Sequence, residues 1–223
     1  MEKQSIINMI DYTLLKTTAT KEDIRNFCNE TIEHGFKTVF VNPYYVPLAV
    51  SLLEDHGVKV GVPIGFSLGG ATTHVKVEET KEAIRNGAKE IDMLINLGAL
   101  KSGEYAVVKN DIAEVVKASN GLTTKVIIET ALLTEDEKVK AAELIVEAGA
   151  DYVKTATGFN GGGATVEDVK LLRRTVGPDF GVKAAGGIRT YEDAVNIVEA
   201  GANRIGTSGA IAIIAGGKST EIY

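Results

Sequence analysis

Three charged side chains interrupt runs that are otherwise apolar: Lys154 in Tyr152-Val153-Lys154-Thr155-Ala156-Thr157, Lys183 in Gly181-Val182-Lys183-Ala184-Ala185, and Asp92 in Glu90-Ile91-Asp92-Met93-Leu94. On a strand, neighbours alternate between faces, so each charge points into a barrel interior or towards a helix layer, and both settings are poor in water. One reading is a structural ion pair, with Asp92 satisfying the two lysines. Two lysines together suit a second reading better. A neighbouring cation and desolvation both lower a lysine pKa, which turns an inert ammonium into an amine able to attack a carbonyl near neutral pH.

Two short segments have the composition of an anion cradle. Ala185-Gly186-Gly187-Ile188-Arg189 and Gly206-Thr207-Ser208-Gly209 each follow a strand pattern, and a short apolar helix is expected over 210–215. Backbone N–H groups brought close by glycine, beside a helix start, suit a phosphate. Each segment alone reads equally as a turn. Their placement after successive strands favours binding, with Gly186, Gly187, Gly206, Thr207 and Ser208 as candidates.

The elements that must position these groups alternate from end to end. Strand patterns fall at 12–15, 38–41, 59–66, 90–96, 125–130, 152–157, 181–185 and 204–207. Between them Thr20 with Asp23, Thr134 with Glu137, Thr165 with Asp168 and Thr190 with Asp193 carry the spacing of a capping box. Gly87, Gly149 and Gly201 read as helix stops that feed the next strand. Strand, helix and strand in succession require parallel pairing. Eight such units favour a closed (β/α)8 TIM barrel, a single domain over residues 1–223, above an open doubly wound sheet. The segment after Leu15, Lys16-Thr17-Thr18-Ala19, also lacks the glycine fingerprint of a dinucleotide fold.

A net charge of −6 weighs against nucleic acid as a partner. No window approaches 18 uninterrupted apolar residues, and the N-terminal residues carry no basic stretch followed by an apolar run. The expectation is a soluble, cytoplasmic protein with no membrane association. The single cysteine, Cys28, reads as a buried small hydrophobe, and the histidines His34, His56 and His74 show no ligand spacing, so no metal is expected. Exposed apolar positions make a homo-oligomer, dimer or tetramer, the expected assembly.

Four segments carry a family resemblance: Ile10-Asp11-Tyr12-Thr13-Leu14-Leu15-Lys16, Glu90 to Asn96, Val153-Lys154-Thr155-Ala156-Thr157-Gly158-Phe159, and Val182-Lys183-Ala184-Ala185-Gly186-Gly187-Ile188-Arg189. They resemble the deoxyribose-phosphate aldolases, class I aldolases that work through a lysine Schiff base. The resemblance runs through nearly the whole chain. It implies reversible cleavage of 2-deoxy-D-ribose 5-phosphate to acetaldehyde and D-glyceraldehyde 3-phosphate, without metal or organic cofactor. It would make Lys154 the Schiff-base lysine and Asp92 and Lys183 its catalytic partners, with Lys183 protonated. Asp11, Thr13 and Thr157 would bind the sugar, and the two glycine segments its phosphate. Tyr223 would be an auxiliary proton carrier.

The chain departs from the family pattern at Tyr12, Thr17, Phe40, Ser67 and Ala185, where His, Pro, Cys, Pro and Ser are frequent, and it keeps every catalytic group. Two other readings share the fold: a barrel isomerase or an aldolase for another sugar phosphate, and a sugar-phosphate-binding protein without turnover.

Overall fold

A computed structural model of the chain describes residues 1–220. Eight parallel strands close into a barrel in chain order: β1 (Ile10–Leu14), β2 (Thr38–Val41), β3 (Lys59–Ile64), β4 (Glu90–Leu94), β5 (Thr123–Ile127), β6 (Tyr152–Lys154), β7 (Gly181–Ala185) and β8 (Arg204–Thr207), with β8 pairing back onto β1. Helices α1 (Lys3–Met9), α2 (Lys21–His34), α3 (Val46–Leu53), α4 (Thr73–Arg85), α5 (Leu97–Lys101), α6 (Tyr105–Ala118), α7 (Glu135–Glu147), α8 (Val166–Val176), α9 (Tyr191–Glu199) and α10 (Ala210–Ile214) complete the order. The open sheet is therefore excluded.

Local chemistry sets the boundaries. Thr20, Thr134 and Thr190 each close a complete capping box with the acid three residues on. Thr165 accepts from the Asp168 N–H, but the Asp168 carboxylate turns to Lys138 at 2.6 Å and leaves the box half made. Several strands end earlier than alternation suggests. β3 stops before Gly65, at φ 62°, and β5 begins at Thr123 and stops short of Glu129, which is left-handed at φ 55°. β6 ends at Lys154, although Thr155 still donates its N–H to the Lys183 carbonyl at 3.0 Å and its carbonyl accepts from the Thr130 N–H at 2.9 Å. Turn conformation, which side-chain alternation does not encode, decides these ends.

The two faces of each strand serve different ends. Tyr12 points outward and packs its ring on Phe27 and Phe36, with centroids 4.4 and 4.9 Å away. Val39, Val41, Val62, Ile91, Val126, Val153, Val182 and Ile205 likewise join the apolar layer under the helices. The inward face instead carries the charges, beside two large aromatics, Tyr152, whose ring centroid is 5.8 Å from the Lys125 nitrogen, and Phe40, which is 1% exposed. Phe40 pairs in register with Gly61 of β3, and a Cβ at Gly61 would overlap its ring, so glycine there makes room for the ring across the interior. Among the described residues no helix is long and apolar enough to cross a membrane.

Candidate active site

Asp92, midway along β4, is fully buried and gathers three lysines. Its Oδ2 accepts from Lys154 Nζ of β6 and from Lys183 Nζ of β7, both at 2.8 Å, and its Oδ1 accepts from Lys125 Nζ of β5 at 3.0 Å. Lys154 and Lys183 are opposite each other in the β6–β7 register. Sharing one oxygen, their amines lie within two hydrogen-bond lengths of each other, close enough to interact strongly in a dry interior.

Below them the charges continue. Lys125 also donates to Glu90 at 2.6 Å, and Arg204 reaches both oxygens of Glu90 at 2.8 and 2.7 Å. Asp11 pairs with Lys183 at 2.5 Å and with Arg204 Nε at 3.2 Å, by charge alone: its oxygens accept no hydrogen bond among the described residues. Phe40 closes the cluster laterally, its ring centroid 3.9 Å from the Lys183 nitrogen, 4.7 Å from that of Lys125 and 5.8 Å from that of Lys154. A π face towards several cations supplies attraction without adding an anion.

Burial and charge pull these groups in opposite directions. For Asp92, burial would raise the carboxyl, but Lys125, Lys154 and Lys183 outweigh it and hold the acid well below its ordinary range. Burial would lower Lys125, yet Asp92, Asp11 and Glu90 hold it above its ordinary value. Lys183 responds the other way. Burial pushes it down to about 8; Asp11 and Asp92 resist, while Lys154 and Lys125 add to the fall. A group near 8 stays mostly protonated at neutral pH and can exchange its proton there.

Access distinguishes the lysines. The Lys154 side chain is 8% exposed, that of Lys183 1%, and that of Lys125 not at all. Lys154 is the last residue of its strand, at the C-terminal end of the barrel where strands meet their loops, whereas Lys183 and Lys125 sit in the middle of theirs.

Removing the shared anion strips Lys154 of its carboxylate partner and leaves Lys125 and Lys183 with Glu90 and Asp11 alone among the described residues. Asp92→Ala is therefore expected to lose about 3 to 5 kcal/mol of stability, read from the urea midpoint; an unchanged midpoint would refute this charge balance. Because Asp92 sits below its ordinary 3.8, its contribution is complete above that pH and is lost as acid drives the carboxyl towards protonation.

Beside this cluster lies a cavity of about 320 Å³, lined by Gly187, Gly206, Thr207 and Ser208 among others. Gly186 forms the turn beneath it at φ 82° and does not line it. Gly206 also faces the lysines: a Cβ there would come within 3.1 Å of the Lys183 Cε. Sequence reasoning missed a second wall, the glycine-rich loop 158–163, and Ser219, whose N–H donates to the Arg189 carbonyl at 2.9 Å. The run Gly161-Gly162-Gly163 was the available signal.

Other expected contacts lie elsewhere. Asp11 is wholly buried in the charge cluster, and Thr13, 6% exposed, donates to the Asp11 carbonyl at 2.9 Å. Thr157, 3% exposed, donates its hydroxyl to Glu129. As placed, all three are engaged with the protein itself. Lys125, Glu90, Arg204 and Glu129 were not anticipated; of these, Lys125 alone had a signal, a lysine beside the apolar run Val126-Ile127-Ile128. Tyr223 lies outside the described residues.

An accessible amine beside a second, buried lysine has a distinctive use on a carbonyl, condensation to an iminium that accepts electrons from a breaking carbon–carbon bond. Fold and site together define a barrel aldolase of the Schiff-base class. The chain belongs to the DeoC/LacD family of aldolases, whose model matches residues 5–215. It is 68% identical to deoxyribose-phosphate aldolase 2 of Oceanobacillus iheyensis over the full length of both chains. It is 60% identical to the deoxyribose-phosphate aldolase of Thermococcus kodakarensis, over 97% of this chain and 98% of the other. Among solved structures, the tetrameric deoxyribose phosphate aldolase of Aeropyrum pernix superposes with a TM-score of 0.90 at 36% identity, covering 96% of this chain and 91% of that one.

Proposed function

We propose that the protein reversibly cleaves 2-deoxy-D-ribose 5-phosphate to acetaldehyde and D-glyceraldehyde 3-phosphate, with Lys154 as the Schiff-base residue. The observation that carries this reading is the shared Asp92 oxygen, which sets the one accessible lysine beside a second, buried one. The amine of Lys154 adds to the C1 aldehyde of the open-chain sugar and loses water to give an iminium. The C3 hydroxyl then gives up its proton, the C2–C3 bond breaks, and its electrons pass into the iminium to form an enamine. Glyceraldehyde 3-phosphate leaves. Protonation of the enamine at C2 and hydrolysis release acetaldehyde and restore the amine.

Asp92, held far below neutrality, is a weak base, so its role is to orient and balance the amines. Lys183 suits the proton exchange better, relayed to the substrate through water, because its pKa lies near the working pH. Gly187, Gly206, Thr207 and Ser208 hold the phosphate, with Gly186 shaping the turn, and this anchors the reacting end over Lys154. Asp11, Thr13 and Thr157 support the interior and loops through protein contacts. The chain acts as a single-domain cytoplasmic homo-oligomer. Exposed Tyr44, Leu68 and Val75 are apolar surface available to a subunit contact.

A direct assay tests the reaction: purified protein with 2-deoxyribose 5-phosphate should release acetaldehyde and glyceraldehyde 3-phosphate in equal amounts, followed by coupled dehydrogenases. Turnover of a different sugar phosphate in preference would redirect the substrate assignment while leaving the amine chemistry in place.

A further inference from the structure

Glu129 is a wholly buried carboxylate that takes no part in the amine cluster. Its backbone is left-handed at φ 55°, ψ 65°, a conformation that costs a residue with a Cβ about 1 kcal/mol or more. Among the described residues no cation pairs with it. All its side-chain hydrogen bonds go instead to one short stretch of chain. It accepts from the Thr157 N–H at 3.2 Å, from the Thr157 hydroxyl at 2.5 Å and from Asn160 Nδ2 at 2.8 Å. Asn160 Nδ2 also donates to the Ser67 carbonyl at 2.8 Å, and the Phe159 N–H donates back to Thr157 Oγ1 at 3.0 Å.

That stretch opens the loop 158–163, four of whose six residues are glycine and all four of which line the cavity beside the lysines. Glycine loses the most conformational freedom on ordering, so such a loop does not hold a shape unaided. Its far end is pressed against the β7 turn: a Cβ at Gly163 would come within 2.7 Å of the Gly186 carbonyl, and Ala164 N–H donates to the carbonyls of Ala185 and Gly186 at 3.1 and 3.0 Å. In its middle, a Cβ at Gly162 would overlap the side chain of Ala131, two residues beyond Glu129. The near end hangs on Glu129. A buried, cation-free carboxylate is costly to keep, and a neutral side chain would serve mere packing better.

We propose that Glu129 is a positioning residue for substrate, which fixes the glycine-rich wall of the cavity in the shape that receives the phosphate. This rests on the assignment of that cavity to the phosphate. Glu129 touches neither the amines nor the cavity, so it acts on the distal anion and not on the reacting carbon.

Glu129→Gln tests it, since the amide keeps the volume but must bring an N–H donor against the Thr157 N–H or the Asn160 amide nitrogen. The KM for 2-deoxyribose 5-phosphate should rise about tenfold or more, with kcat/KM on unphosphorylated 2-deoxyribose changed less than about twofold. Inhibition of cleavage by inorganic phosphate should weaken in parallel. Asn160→Ala, at the half-buried end of the same anchor, should shift the same quantities in the same direction, and it decides the matter if Glu129→Gln does not fold. Equal losses on both sugars, or an unchanged KM for the phosphorylated one, would overturn the role. If the unaltered protein gains nothing from the substrate phosphate and ignores inorganic phosphate, the cavity assignment itself fails, and the proposal with it.

Discussion

Lys154→Ala is expected to abolish turnover, by about four to six orders of magnitude, because the covalent route then has no amine to start from. Borohydride added with acetaldehyde or 2-deoxyribose 5-phosphate should leave the unaltered protein carrying a reduced adduct on Lys154, located by peptide mass spectrometry. The variant should carry none. Access supports the choice, since Lys154 is the one lysine of the three whose side chain retains appreciable exposure. An adduct on Lys183 in the unaltered protein would exchange the two roles. The fold should tolerate the change, because Asp92 keeps Lys125 and Lys183 as partners.

Lys183→Leu has the second largest expected effect, a fall in kcat of about a hundredfold or more at pH 7, the usual magnitude for losing a proton-transfer group. Its pH profile is more informative than its size. In the unaltered protein Lys183 is cationic at neutrality and loses its proton as pH rises through about 8, so activity should decline on the alkaline side. With leucine that limb disappears. Activity of the variant should therefore hold level as pH rises through that range. Parallel profiles for the two proteins would remove Lys183 from the chemistry.

Alternation and helix chemistry made the barrel legible. All eight strands open within two residues of the expected positions, and the capping threonines Thr20, Thr134 and Thr190 start helices as their spacing predicts. Lys154, Lys183 and Asp92 stood out because a charge in an apolar strand is costly, and the structure brings the three together. Period-two patterning tells which face a residue takes but not its height along the barrel axis. Asp11 and Thr13 share the inward face with the lysines, yet the Asp11 carboxylate is taken up by Lys183 and Arg204, while the Thr13 hydroxyl is spent on a neighbouring carbonyl.

Glu90 and Arg204 open their strands, where a charge ordinarily meets solvent, so nothing in the local sequence marked their inward pairing. Glu129 escaped notice for a different reason. Its significance depends on a left-handed turn and on a loop nearly 30 residues further along the chain, as its bond to Thr157 shows. Long-range contacts of that kind leave no periodic trace.

The Phe40 ring, admitted by the missing side chain at Gly61, has a consequence for how the molecule could be altered. Its face is turned to the nitrogens of Lys183, Lys125 and Lys154 together, so the ring is a shared wall of one connected charge network and not of any single pair. A polar replacement of the ring would put a competing hydrogen-bonding group against all three amines at once and disturb every substrate alike, whereas exchanging the loops at the mouth leaves these strand-borne charges in place.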